Sequence, residues 1–187
     1  MSQIRDWHHD RDLWLRVLER QTGQGLEHWN GRIEDEHPAD EQSLRAWLTE
    51  QGVTGYAQTL LVRERFGYPD FVLAAADELI DRQYADRLGL RPIFDAVIAS
   101  AATLGEMIVQ ARKTYVSLLT PRRTFARVQP AKTRVDVALR LEDRRPGGRL
   151  QPSTIHETMS LQISLTSVDQ VDAELLGWLQ LAYEENR

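Results

Sequence analysis

Apolar residues recur at helical spacing through the first third of the chain. Leu13, Trp14, Val17 and Leu18 make one stripe, stopped near Thr22-Gly23. Leu26, Trp29 and Ile33 follow on a second helix. Pro38 breaks the chain, and Asp40 is placed to cap a third helix carrying Leu44, Trp47 and Leu48. After Gly52, Thr54 can cap a fourth with Ala57, Leu60, Leu61 and Phe66, closed by Gly67. A longer helix is expected from about Asp70 to Leu88, with Asp77, Glu78, Asp81 and Arg82 outward. This reading divides the region into a helical module over residues 1–68 and a connector helix over 69–90.

The period changes in residues 91–187. Pro92 suits a first helical position, and Ile93, Phe94, Val97, Ile98, Ala101 and Leu104 give a helix ending at Gly105. From about Met107 to Leu165 apolar and polar residues alternate, which predicts strands. Turns are expected at Thr120-Pro121, Gln129-Pro130 and Arg145-Pro146-Gly147-Gly148. Ser167-Val168-Asp169-Gln170 reads as a capping box opening a last helix with Val171, Leu175, Trp178, Leu179 and Ala182 buried. The expected fold class is α+β: helical module, then a helix, a four- to five-stranded antiparallel sheet and a C-terminal helix.

Alternation sorts the strands into two faces. Thr114, Val116 and Leu118 oppose Lys113, Tyr115 and Ser117. Thr124, Ala126 and Val128 oppose Arg123, Phe125, Arg127 and Gln129. Val135, Val137 and Leu139 oppose Lys132, Arg134, Asp136 and Arg140. Met159, Leu161, Ile163 and Leu165 oppose Thr158, Ser160, Gln162 and Ser164. One face is aliphatic and is expected to meet the helices. The other is basic, with two aromatic rings among the charges.

Charge gives that second face its meaning. Residues 1–90 hold 10 Arg against 17 acidic residues, whereas residues 112–149 hold 11 Lys+Arg against 3 acids. Such asymmetry points to an anionic partner or to attraction between the two halves. Only two of the basic residues are lysines, Lys113 and Lys132, and both are placed on this face. Aromatic rings stack on bases while Arg and Lys neutralise phosphates. Lys113, Tyr115, Arg123, Phe125, Arg127, Lys132 and Arg134 are therefore the candidate ligand-binding residues. The rival readings are a solvated polar face and an acidic helical half docked on the basic one.

Other constellations are thinner. His8-His9-Asp10 places neighbours on different helix faces, and His28, Glu34, Asp35, Glu36 and His37 lack a zinc-hydrolase spacing. His156 beside Glu157 has no paired nucleophile. No nucleophile elbow, phosphate-binding loop or dinucleotide fingerprint is present. Gly52-Val53-Thr54-Gly55-Tyr56-Ala57 is similar to a helix-hairpin-helix DNA-binding turn, with one extra residue between the glycines. No catalytic residue, metal site or cofactor is assigned. The absence of cysteine, of an apolar leader in Met1-Ser2-Gln3-Ile4-Arg5-Asp6 and of a 20-residue apolar run leads us to expect a cytoplasmic protein without a membrane anchor.

Trp47-Leu48 and Gly52 to Ala57 resemble a short bacterial helical domain of unknown function. Lys113-Thr114-Tyr115, Phe125-Ala126-Arg127-Val128-Gln129-Pro130, Lys132-Thr133-Arg134-Val135, and Asp172-Ala173-Glu174-Leu175 with Trp178-Leu179 and Ala182-Tyr183 resemble a second uncharacterised bacterial domain. The latter occurs elsewhere appended to predicted nucleases, and the resemblance implies a shared fold with no catalytic residues to carry over. A His-Arg pair frequent in its last strand is replaced here by Leu161-Gln162.

The expected function is non-catalytic binding of nucleic acid, a nucleotide or another anion on the basic sheet face. The alternatives are a small-molecule-binding protein or enzyme with a cleft between the modules, and a protein–protein adaptor acting through the Trp-rich helices. Oligomeric state is left open.

Overall fold

A computed structural model describes residues 3–5 and 7–187, with side chains from His9 onward. Met1, Ser2 and Asp6 of the N-terminal stretch, and the His8 side chain of the histidine pair, lie outside the described residues. The chain forms two compact units, residues 6–74 and residues 1–5 with 75–187.

The first unit is helical: α1 (Trp7–Thr22), α2 (Leu26–Glu36), α3 (Glu41–Glu50), α4 (Gly55–Phe66) and the short α5 (Asp70–Leu73). Trp14, Leu18, Trp29, Ile33, Leu44 and Leu48 are buried in one core with Leu60 and Leu61 of α4. Burying each such aliphatic side chain contributes roughly 1.5–3 kcal/mol. Leu13 and Phe66, expected on the stripes, are instead exposed. The α3 N-terminus is capped as its sequence requires. Asp40 Oδ1 accepts from the Ser43 N–H at 2.7 Å, and Ser43 Oγ accepts from the Asp40 N–H at 3.1 Å. These hydrogen bonds from Ser43 hold the Asp40 carboxyl below its ordinary range.

The expected connector helix is broken. Ala74 and Ala75 are extended, with ψ of 141° and 152°, between α5 and α6 (Ala76–Tyr84). The break resets the helical phase, so Leu79, Ile80, Gln83 and Tyr84 are buried in the second unit while Asp77, Glu78, Asp81 and Arg82 stay exposed. Gln83 Nε2 donates to the Arg112 carbonyl at 2.7 Å, and the Tyr84 ring meets Phe94. No glycine or proline marks the break.

The second unit is α+β. After α6, a 3-10 turn at Leu88–Leu90 leads into α7 (Arg91–Ala102), with proline in its first turn. The strands are β1 (Gln3–Arg5), β2 (Ile108–Ala111), β3 (Val116–Leu119), β4 (Thr124–Pro130), β5 (Val135–Leu139), β6 (Gln151–His156) and β7 (Met159–Leu165). They form one sheet in the order β1-β2-β3-β4-β5-β7-β6. Strands β2 to β7 pair antiparallel, and β1 adds to β2 in parallel. The sheet is thus larger than expected, because a three-residue strand shows no alternation by which to recognise it.

On the aliphatic face Val116, Leu118, Ala126, Val128, Val137, Leu139 and Ile163 are fully buried. Helix α8 (Ala173–Asn186) packs on β4 and β5, with Leu175, Leu179, Ala182 and Tyr183 buried. It starts later than expected. Ser167–Gln170 does form a capping box, with Gln170 Oε1 accepting from the Ser167 N–H, but it closes a 3-10 turn. Asp172 caps α8 by accepting from the Leu175 N–H at 3.0 Å.

Gly105 has a φ of +144°, and a Cβ there would stand 2.6 Å from the Tyr183 hydroxyl oxygen. Gly105→Ala should therefore destabilise the protein by about 1–3 kcal/mol through strain and overpacking, with partial recovery in Gly105→Ala/Tyr183→Phe. Chemical denaturation of the two variants checks this. For Asp40→Ala we expect a lower Tm at neutral pH. A depressed carboxylate stabilises above its unfolded pKa and loses that contribution as pH falls through its folded value. The gap to wild type should accordingly close in acid, as read by melting curves across pH.

Candidate anion-binding face

Three hairpin turns and one strand position the candidate residues. The turn between β2 and β3 closes through the Arg112 N–H to the Tyr115 carbonyl at 2.9 Å, and it carries Lys113. The turn between β4 and β5 closes through the Ala131 N–H to the Arg134 carbonyl at 2.8 Å, and it carries Lys132 and Arg134. Lys113, Lys132 and Arg134 are thus exposed turn residues, not members of a strand face. The expected turn at Gln129-Pro130 falls one residue later. Pro130 pairs with Val135 as the last residue of β4, a strand end being where a residue without an N–H fits.

The third turn lies at the other end of β4. Thr120 Oγ1 accepts from the Arg122 and Arg123 N–H groups at 3.2 and 3.1 Å and donates to the Asn186 carbonyl at 2.6 Å. Arg123 Nη2 donates to Glu142 Oε1 at 3.1 Å and to the Glu185 carbonyl at 3.2 Å. The seven residues of β4 span about 20 Å, so the structure separates Arg123 from the turn lysines by the length of the sheet.

Phe125 leaves the group altogether. Leu118 pairs with Ala126 but Leu119 with Thr124, so Phe125 is an extra residue in β4, a bulge. Its ring is fully buried and meets Tyr183 of α8 edge-on at 5.5 Å. It offers no exposed surface on which a base could stack. Tyr115 remains half-buried, and the Arg127 guanidinium lies over its ring at 4.6 Å.

What the sheet brings together is a row of side chains on the polar face. The pairings run Gln110 to Ser117, Ser117 to Arg127, Arg127 to Ala138, and Ala138 to Gln162. Arg140 lies two residues beyond Ala138 and so shares its face. Arg140 is held below the ordinary arginine value by burial first, then by the charges of Arg123 and Arg127, with Glu142 opposing. The Nε atoms of Arg123, Arg127 and Arg140 and Oε1 of Gln162 are all out of solvent without a hydrogen-bond partner. Alternation places Arg140 on the basic face, but only the register shows it beside Arg127.

Arg134 is spoken for. Its Nε donates to Asp136 Oδ1 at 2.7 Å, and Ser164 Oγ donates to the same oxygen at 2.5 Å. This buried carboxylate therefore stands one row away from the arginine cluster. Among the described residues no group of histidines and carboxylates could hold a metal ion. His156 is engaged locally, its Nδ1 accepting from the Thr158 N–H at 3.2 Å.

Comparison with known proteins matches residues 80–186 to DUF5655, a domain of unknown function. The chain belongs to the DUF5655 family. The DUF5655 domain runs from α6 to the penultimate residue and contains the whole arginine cluster. No curated protein and no solved structure matches the chain. Among the described residues no helix is long and apolar enough to cross a membrane.

Clustered guanidiniums repel one another, and each removed from water without a partner adds a desolvation cost. Arg140→Met keeps the apolar stem and removes the charge. Its Tm in low salt without anions should equal or exceed that of wild type, whereas added phosphate should raise the Tm of wild type more than that of the variant. Thermal melts with and without phosphate decide it.

Proposed function

We propose that the polar face of this DUF5655 domain is a non-catalytic binding surface for nucleic acid, held through its phosphates by Arg127 and Arg140, with Arg123 at its edge beside the end of α8. The observation behind this reading is the set of three neighbouring guanidiniums whose Nε donors are buried and unpartnered. A phosphate oxygen satisfies such donors and offsets the repulsion between them. The Arg127 guanidinium over the Tyr115 ring at 4.6 Å adds a cation–aromatic pair against which a base can stack. The basic turns with Lys113 and Lys132 continue positive charge to the far end of β4, about 20 Å away. That length accommodates about six phosphates at the ~3.4 Å spacing of a stacked strand. The resemblance of the α+β portion to domains appended to predicted nucleases agrees with this ligand class, and the helical module before it fits a two-module protein.

The test is titration of a fluorescent single-stranded oligonucleotide over a range of salt. Neutralising about four phosphates gives a log–log slope of about −3. Arg127→Met should flatten the slope by about 0.7 and weaken binding in the same experiment. A slope near zero, or wild-type binding by an Arg127→Met/Arg140→Met variant, would refute the assignment.

A further inference from the structure

A carboxylate is out of place on a face that holds phosphates, unless it has a donor to meet. Asp136 of β5 lies on that face, and its side chain is only 9 % exposed. Both lone pairs of Oδ1 are used: it accepts from Arg134 Nε at 2.7 Å and from Ser164 Oγ at 2.5 Å. Oδ2 has no hydrogen-bond partner among the described residues, yet it is not sealed from solvent. A carboxylate oxygen drawn this far out of bulk water and left unpaired costs free energy, which a donor would recover.

Its surroundings narrow the choice of donor. Asp136 stands opposite Gln129 on β4 and Ser164 on β7. Arg127, two residues before Gln129, is its diagonal neighbour, a relation that sets two residues about 7–8 Å apart. The Arg134 charge offsets that of the carboxylate, so Oδ2 repels a phosphate at Arg127 less than a bare carboxylate would. A phosphodiester has no proton to donate, so the donor must be carried by the sugar or the base beside it. One open oxygen suits a single O–H better than the paired N–H donors of a base edge. The sugar also keeps its distance from the phosphate whatever the base.

We infer that Asp136 Oδ2 accepts a hydrogen bond from a ribose 2′-hydroxyl, which makes this face selective for RNA over DNA. The inference rests on the nucleic-acid reading above and names the class of strand it takes. The 2′-hydroxyl is the group by which a protein tells RNA from DNA at a given site. No pocket is needed, since the hydroxyl meets an oxygen at the surface of the sheet.

The experiment titrates the full chain with single-stranded RNA, with its 2′-O-methyl form and with DNA of the same bases, uracil included, in two unrelated sequences. RNA should bind about tenfold tighter than either altered strand, the size of one hydrogen bond to a charged group. Asp136→Asn retains an acceptor for Arg134 and Ser164 and replaces the open oxygen with an amide nitrogen. It should cut the preference to about twofold or less without weakening DNA binding. Equal affinity for RNA and the two altered strands overturns the Asp136 contact and leaves the nucleic-acid surface standing. A preference that survives in Asp136→Asn, or that follows the sequence and not the sugar, overturns the contact as well. Failure of every strand to bind overturns the surface and the contact together.

Discussion

Opposite Leu118 and Leu119, strand β4 places three residues where regular pairing would place two, and the extra one is Phe125. A bulge re-aims a side chain, bends its strand and shifts the alternation on one side of it. Here it buries Phe125 against Tyr183. Beyond the bulge the ladder resumes, so Ala126 and Val128 stay on the aliphatic face and Arg127 projects from the other. Tyr183 in turn donates to the Glu106 carbonyl at 3.0 Å and leaves no room for a Cβ at Gly105. One local irregularity thus couples the packing of α8, the connection from α7 to β2, and the position of the central arginine.

The last turn of α8 sits where the arginine cluster needs a fixed backbone. Asn186 is fully buried, and its Nδ2 donates to the Arg140 carbonyl at 2.9 Å. Its own carbonyl accepts from Thr120, and the Glu185 carbonyl accepts from Arg123. A helix C-terminus carries partial negative charge and unsatisfied carbonyls, so it is a natural anchor for a cation and a hydroxyl donor. Glu185 adds its carboxylate to the Glu142 N–H at 3.0 Å and to Arg144 at 3.3 Å. The helix end therefore holds the loops on either side of the cluster without consuming the Nε donors of Arg127 and Arg140.

Much of the fold could be read from the sequence because period and capping are local signals. The four N-terminal helices, the Asp40 cap, Pro92 in the first turn of its helix, and the parity of Val116, Leu118, Val137 and Ile163 all depend on residues within a turn or two of each other. What stayed hidden depends on partners distant in sequence. The break at Ala74-Ala75 follows from burial of α6 in the second unit. Strand β1 exists only because β2 is beside it. The bulge is visible only against β3. The site suffered most from this, since parity alone carried Phe125 to the wrong environment and extended the strands over Lys113, Lys132 and Arg134, which lie in turns. Arg140 and Gln162 were on the right face by alternation, but their neighbours were fixed only by register.

The distribution of lysine and arginine has a physical logic that inverts the expectation from scarcity. The two lysines, singled out because the chain has 21 arginines, are at the hairpin tips. A compact, strongly hydrated ammonium is cheaply placed there, in water. The sheet face takes arginine. A guanidinium is more weakly hydrated, sits over an aromatic ring as Arg127 does over that of Tyr115, and tolerates partial burial. Such a group bears crowding and partial burial better than a compact ammonium does. Lysine in the place of Arg127 or Arg140 would lose both the planar fork and the stacking surface. The rare residue therefore marks where charge meets solvent, and on the sheet face the common one marks where charge is partly buried.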